Sequence, residues 1–161
     1  MTPMRHAPHG FTLIELLVTA TIVAVLASVA LPLAELSVKR ARENELRAAL
    51  REIRGAIDAY KQASDDGRIL KKADESGYPP NLEILVEGVE DARSPDKKRI
   101  HFLRRLPRDP LHADPQTPAA MTWGLRSHDS PHDAPREGRD VYDVHTLSSG
   151  SAINGLPYNQ W

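Results

Sequence analysis

A long apolar segment near the N-terminus dominates the hydrophobic pattern of this chain. It covers residues 11–31, and Glu15 is the only charged residue between Phe11 and Leu33. A helix of about 21 residues spans about 30 Å, the thickness of the hydrocarbon core of a bilayer. The segment therefore predicts a membrane-spanning helix. Pro32 follows it, and because proline removes a helical hydrogen bond we expect a kink there.

An ordinary secretory signal is the alternative interpretation of this segment. Such signals are cleaved at small residues after their apolar core, and "ASVALP" at positions 27–32 offers a site of that kind. However, the apolar run is longer than a typical signal core, and it continues into a helical pattern. We therefore interpret it as a retained membrane helix.

A second pattern follows, in which apolar residues recur at alternating spacings of four and three, the stripe of an amphipathic helix. The apolar positions are Leu46, Leu50, Ile53, Ile57 and Tyr60. Charged residues occupy other positions of the same segment, namely Glu43, Glu45, Arg47, Arg51, Glu52, Arg54 and Asp58. The pattern ends at "SDDGR", so one helix of roughly 50 residues is predicted. The first half of this helix is largely apolar, whereas the second half has a single apolar stripe to bury.

The C-terminal half predicts the partner on which that stripe packs. Residues 77–88 read as a turn and a short helix, whereas residues 121–127 and 140–149 read as strands joined by an exposed loop. Trp123 and Tyr142 lie on these strands and are predicted core residues. The fold class is α+β, a long N-terminal helix packed on a small antiparallel sheet. The predicted boundaries are 1–10, 11–33, 34–66 and 67–161.

Composition narrows the classes of function. The 161 residues contain no cysteine, which excludes a disulfide framework and a thiolate zinc site. The formal net charge of −1 does not suggest a strongly basic nucleic-acid binder. No nucleophile–base pair and no phosphate-binding loop appears in the sequence. An enzyme is therefore not expected.

A loop rich in histidine and aspartate is the remaining metal or enzyme candidate. Its ionisable residues are His128, Asp129, His132 and Asp133, with Asp140, Asp143 and His145 nearby. Two histidines four residues apart bind metal when they share a helix face, but the prolines make this segment a loop. We interpret it as a solvated turn, and a membrane-anchored enzyme using it is a remote hypothesis.

Two further surface features leave alternatives open. The basic segment comprises Lys97, Lys98, Arg99, Arg104 and Arg105, and it suits either a solvated surface or contact with DNA or anionic headgroups. The solvated surface is the default interpretation. Trp161 docks back onto the domain or forms a contact between subunits, and the sequence favours neither.

The opening "GFTLIE" and the apolar run after it resemble the type IV prepilin cleavage motif, which type IV pilins share with the pseudopilins of type II secretion. The segments "YKQASDDGR", "GYPPNLEILVEG", "LRRLPRDPL" and "YDVHTLSSG" are similar to parts of the major pseudopilin of type II secretion. The similarity is strong at the N-terminus and loose beyond Tyr60. It implies a pilin-like fold.

The resemblance also implies a processing and assembly pathway. A prepilin peptidase would cut between Gly10 and Phe11, remove the leader 1–10, and leave Phe11 to be N-methylated. The mature chain would be a single-pass protein of the bacterial inner membrane with its C-terminal domain in the periplasm. Its partners would be itself and other pseudopilins in a filament, and an inner-membrane assembly platform. Nucleic acid is not an expected partner.

Glu15 takes its expected role from the same resemblance. A carboxylate in hydrocarbon costs about a few kcal/mol. In this family the glutamate pairs with the Phe11 ammonium of a neighbouring subunit, which offsets that cost. The competing interpretation is local, because Thr12 and Glu15 match a capping box at a helix start. The two roles are compatible.

The chain departs from the major pseudopilins in its last segment. Those proteins carry an aspartate-rich loop that binds calcium, whereas this chain offers Ser148, Ser149 and Asn154 and no later acid. Calcium prefers several carboxylate oxygens, so these are weak candidates and no cofactor is expected. The expected function is a structural subunit of a type II secretion pseudopilus. The alternative is a type IV pilus subunit that binds DNA or another ligand.

Overall fold

A computed structural model describes residues 11–161 of the chain, and its first element is one long helix, α1 (Leu13–Asp65). The prediction of a single helix of this length is therefore confirmed. The helix ends at Asp65 because Gly67 follows with a positive φ of 69°, a conformation that glycine adopts without strain. Pro32 lies inside α1, and a kink there stays a prediction. The leader 1–10 and the predicted cleavage residue Gly10 lie outside the described residues.

The chain divides into two compact units, Met1–Lys39 and Arg40–Trp161. The described part of the first unit is Phe11, Thr12 and the N-terminal portion of α1, and most of the large apolar side chains described there are exposed. The second unit contains the rest of α1 and every later element.

The hydrophobic core of the second unit forms on the predicted helix stripe. Leu46 and Ile53 are fully buried, and Leu50, Ile57 and Tyr60 are almost so. Residues from the C-terminal half complete the core, namely Ile69, Leu82, Leu85, Leu103, Trp123, Val141, Val144, Ala152 and Tyr158. The amphipathic half of α1 is thus covered by its own chain.

The elements after α1 are short. They are α2 (Ile84–Glu87), β1 (Val89–Glu90), β2 (Arg99–Ile100), a 3-10 helix (Ala119–Thr122), β3 (Trp123–Arg126), β4 (Asp143–Thr146) and a second 3-10 helix (Tyr158–Gln160). β1 pairs with β2 and β3 with β4, both antiparallel, so the structure contains two small sheets. The predicted α+β class is confirmed.

The β3–β4 sheet matches the predicted strands except at its edges. Trp123 pairs with Thr146 and Arg126 with Asp143, and the segment between the strands is mostly exposed, as predicted. Trp123 is a core residue, whereas Tyr142 precedes β4 and is only half-buried. Gly124 lies opposite His145, where a Cβ would collide with the His145 ring unless that ring moved.

Candidate functional site

The N-terminal part of α1 exposes many large apolar side chains. It is the one helix among residues 11–161 that is long and apolar enough to cross a membrane, judged by length and composition, and its most apolar part is not buried by the protein. The exposed large side chains are Phe11, Leu13, Ile14, Leu16, Leu17, Val18, Ile22, Val23, Val25, Leu26, Leu33 and Val38. Apolar surface on this scale marks contact with a membrane or with other proteins.

The hydroxyl groups in this apolar part are satisfied within the helix. Thr19 Oγ1 donates to Glu15 O at 2.9 Å, Thr21 Oγ1 to Leu17 O at 2.8 Å, and Ser28 Oγ to Val25 O at 2.7 Å. Because these donors have partners inside the helix, they do not oppose transfer of the helix to hydrocarbon. The polar residues of this segment are therefore compatible with a membrane helix.

Thr12 and Glu15 form one half of the predicted capping box. The backbone N–H of Glu15 donates to Thr12 Oγ1 at 3.3 Å, so Thr12 caps the start of α1. Within the described part of the chain, the Thr12 N–H does not donate the return bond to the Glu15 carboxylate. The Glu15 side chain is exposed, one helical turn from Phe11, which is itself 76 % exposed.

Two charged residues of α1 that the pattern placed on its solvent face instead hold the C-terminal segment. Glu43 is only 5 % exposed, and its Oε1 accepts from the Ile153 N–H at 2.8 Å and the Tyr158 hydroxyl at 3.1 Å. Burial, and then the bond to Glu43, raise the pKa of Tyr158. Arg54 is half-buried and donates to Asp143 Oδ1 at 2.7 Å. The sequence pattern was wrong at both positions.

Trp161 docks onto the same helix. Its carbonyl oxygen accepts from Arg54 Nη2 at 2.7 Å, and the Arg47 guanidinium carbon lies 4.2 Å from its ring centroid. Its ring also packs edge-on against Tyr158 at 5.2 Å between centroids. Of the two alternatives left open by the sequence, the structure shows docking onto the domain.

The five basic candidates are all exposed, but they occupy different parts of one segment. Lys97 and Lys98 precede β2, and Arg99 is its first residue. Arg99 Nη2 donates to Gly88 O at 2.9 Å. Arg104 and Arg105 border a groove of 630 Å³ beside Gly55 and Ala59 of α1. Among residues 11–161, none of the five forms an ion pair.

The weak calcium candidates use their oxygens locally. Ser148 Oγ accepts from the Gly150 N–H at 3.3 Å, and Asn154 Oδ1 accepts from the Leu156 N–H at 3.1 Å. Ser149 is exposed. In the part of the chain that the structure describes, no three histidine, cysteine, aspartate or glutamate side chains are grouped to hold a metal ion.

The histidine- and aspartate-rich loop is organised around Asp140. Its carboxylate accepts from the Ser127 hydroxyl at 2.7 Å, the His128 N–H at 2.9 Å, and the Ser76 hydroxyl. Burial alone raises the pKa of Asp140, but these three hydrogen bonds outweigh it and hold the pKa below its usual value. His128 stacks on Tyr78 at 5.6 Å between ring centroids. Asp140 is therefore a structural anchor of the loop.

Comparison with known proteins locates one family motif. Residues 5–31 match the family model described as the prokaryotic N-terminal methylation motif. No significant similarity was found to a curated protein or to a solved structure. The matched range contains Gly10, Phe11 and Glu15 and ends before the second unit.

The motif supports a type IV pilin-like or pseudopilin subunit. Proteins with this motif are structural subunits, and the motif implies processing by a prepilin peptidase and assembly with other pilin-like subunits. Together with the exposed apolar helix, it suggests membrane anchoring.

Proposed function

We propose that this chain is a structural subunit of a type II secretion pseudopilus, anchored in the inner membrane before assembly. One observation carries the proposal: the methylation motif, residues 5–31, includes the start of a helix whose N-terminal part exposes its large apolar side chains. That surface is buried first by lipid and then by neighbouring subunits of the filament. The second unit lies in the periplasm.

Glu15 directs the assembly step in this proposal. After cleavage, Phe11 carries the new N-terminal ammonium, and a neighbouring subunit brings it to the Glu15 carboxylate. Opposite charges attract strongly in a low-dielectric medium, whereas each alone is penalised there. This ion pair therefore favours one relative position of neighbouring subunits in the filament.

The choice of a secretion pseudopilus over a pilus is supported by two segments that resemble pseudopilin sequences. Asp109 of "LRRLPRDPL" is buried and accepts a hydrogen bond from the hydroxyl of Thr146 in "YDVHTLSSG". It also accepts from the Leu111 N–H at 2.8 Å, while its own N–H donates to Thr122 Oγ1 at 3.1 Å. The two segments thus depend on each other for a buried polar contact.

Mass spectrometry of the mature N-terminus tests the processing step. When the chain is expressed with a prepilin peptidase, we expect it to begin at an N-methylated Phe11. Gly10→Val should block cleavage, because the peptidase site takes a small residue before the cut. An intact Met1 in the unaltered chain, or a start near Pro32, would contradict the proposal.

Filament assembly tests the role of Glu15. Glu15→Ala should be inserted and cleaved normally but reduce sheared filaments by more than about tenfold, because breaking a buried ion pair costs several kcal/mol. Glu35→Ala is the matched control, since it removes an exposed carboxylate from the same helix. Equal filament yields from the two variants would remove the pairing argument. Deletion of the chain should stop export of secreted proteins and leave surface pili intact.

A further inference from the structure

We propose that Arg40, Arg47 and Asn154 form a binding site for the phosphate group of an anionic phospholipid. The site lies at the start of the second unit, and its contact with a bilayer rests on the proposed membrane anchoring. Its function would be to hold the unassembled subunit at the membrane surface.

The site is a cavity of 360 Å³ on one face of α1. Its lining residues are Arg40, Glu43, Asn44, Arg47, Ile153 and Asn154. Residues separated by three, four and seven positions share a helix face, so Arg40, Asn44 and Arg47 project to the same side. The tight turn that contains Ile153 and Asn154 forms the opposite wall.

The charges in this cavity favour an anion. Glu43 is its single carboxylate, and it is engaged by the Ile153 N–H and the Tyr158 hydroxyl. Within residues 11–161 neither Arg40 nor Arg47 forms an ion pair, so two guanidinium groups face one internally bonded carboxylate. Guanidinium groups bind phosphate through paired N–H donors.

Two of the donors are held in position. The Trp161 ring supports the Arg47 guanidinium at 4.2 Å, a contact with the ring face that leaves the N–H edge available. Asn154 Oδ1 accepts from the Leu156 N–H at 3.1 Å, which directs its amide nitrogen away from that bond. The site therefore loses less side-chain freedom on binding than a set of mobile surface arginines.

Exposed aliphatic side chains beside the cavity point to a lipid as the source of the phosphate. Ile153 and Leu156 are 40 % and 51 % exposed on one turn, which the Ala152 N–H closes onto Leu156 O at 2.8 Å. Basic groups next to exposed aliphatic side chains are typical of surfaces that rest in the headgroup region. Free phosphate has no apolar group that could contact these aliphatic side chains.

The position in the chain also fits a headgroup. In the sequence, Arg40 follows shortly after Leu33, the last residue of the predicted membrane-spanning segment. The headgroup layer begins where the hydrocarbon ends, and arginine side chains reach toward it along their aliphatic stems. Lys39 and Arg42 add positive charge in the same stretch.

Lipid binding to the full-length chain in a neutral detergent tests the proposal. Native mass spectrometry would compare phosphatidylglycerol, phosphatidylcholine with the same acyl chains, and inorganic phosphate. We expect phosphatidylglycerol to bind at least about tenfold more tightly than phosphatidylcholine, and Arg40→Gln to reduce that preference about fivefold. The double variant Arg40→Gln/Arg47→Gln should abolish it. The control Arg51→Gln/Arg136→Gln removes the same charge from exposed arginines outside the cavity and should retain the preference.

Several outcomes would overturn the inference. These are equal binding of the two lipids, an unchanged preference in a folded Arg40→Gln variant, or occupancy by inorganic phosphate equal to that by phosphatidylglycerol. Arg40 is exposed and forms no ion pair among residues 11–161, so this variant tests binding without loss of the fold. Arg47→Lys should weaken the preference, because an ammonium group lacks the paired N–H donors of a guanidinium. A second measurement, whether the unaltered chain and the same variants are extracted from membranes, tests the membrane anchoring separately from the lipid preference. Loss of the unaltered chain from membranes would contradict the proposed function, whereas membrane retention without lipid preference contradicts this inference alone.

Discussion

The two parts of α1 solve the same problem of apolar surface in different ways. From Arg40 onward, the helix buries one stripe against elements of its own chain, with Leu46 and Ile53 fully covered. Before Lys39, most of the large apolar side chains that the structure describes are exposed. The first arrangement stabilises a folded unit, and the second requires a bilayer or another protein to cover it. A single helix can therefore serve both folding and assembly.

Two glutamates of α1 show the same contrast in how their carboxylates are satisfied. Glu43 lies in an apolar core, and its own chain supplies the N–H of Ile153 and the hydroxyl of Tyr158. Glu15 lies in the apolar part of α1, where its exposed carboxylate has no such internal donors among residues 11–161. A buried carboxylate needs hydrogen-bond donors or an opposite charge. Glu43 finds them by folding, and in our proposal Glu15 finds them by assembly.

The largest expected effect separates the two parts of the helix. Ile53→Ala should lower the free energy of unfolding of the second unit by about 2–5 kcal/mol, because it leaves a cavity in the core. Val23→Ala removes an exposed side chain and should change it by less than about 0.5 kcal/mol. Denaturant unfolding of the full-length protein in detergent, followed by tryptophan fluorescence, measures both. Equal losses would mean that the first part also stabilises the folded unit.

A smaller effect separates the buried carboxylate from an exposed one. Glu43→Ala should cost about 1–3 kcal/mol, because the Ile153 N–H and the Tyr158 hydroxyl lose their acceptor. Glu45→Ala, two residues further along on the exposed face, should be nearly neutral. The same unfolding measurement applies. Similar values for the two variants would show that the C-terminal segment is not held through Glu43.

The smallest expected effect concerns the loop carboxylate Asp140. Its pKa is lowered in the folded state, so its ionised form stabilises the fold above the unfolded-state pKa. That contribution should be lost as the pH falls below about 4, the usual value for aspartate. Thermal unfolding of the unaltered chain and of Asp140→Asn across this range isolates the effect, since the other carboxylates titrate alike in both. Parallel pH profiles would exclude a stabilising role for the ionised carboxylate.

Local patterns predicted the parts of this fold that are long or strongly periodic. The extent of α1, its buried stripe and the β3–β4 pairing all follow from spacings visible in the sequence. The β1–β2 pair was missed, because strands of two residues show no alternation. Glu43 and Arg54 were misplaced, because charge at a helical position normally indicates solvent. No local signal reveals that the C-terminal half of the chain supplies donors to Glu43 and acceptors to Arg54.

The sequence by itself determined the processing motif, the apolar helix and the stripe that continues it, because these depend on residue type and spacing within a few helical turns. Only the tertiary structure decided which polar groups of α1 are buried, that Trp161 docks onto the helix, and that Arg40, Arg47 and Asn154 border one cavity. These contacts join residues far apart in the sequence, such as Arg54 and Asp143 with a separation of 89 and Glu43 and Ile153 with a separation of 110. Such pairings depend on how the whole unit packs, and a local sequence pattern carries no information about that packing.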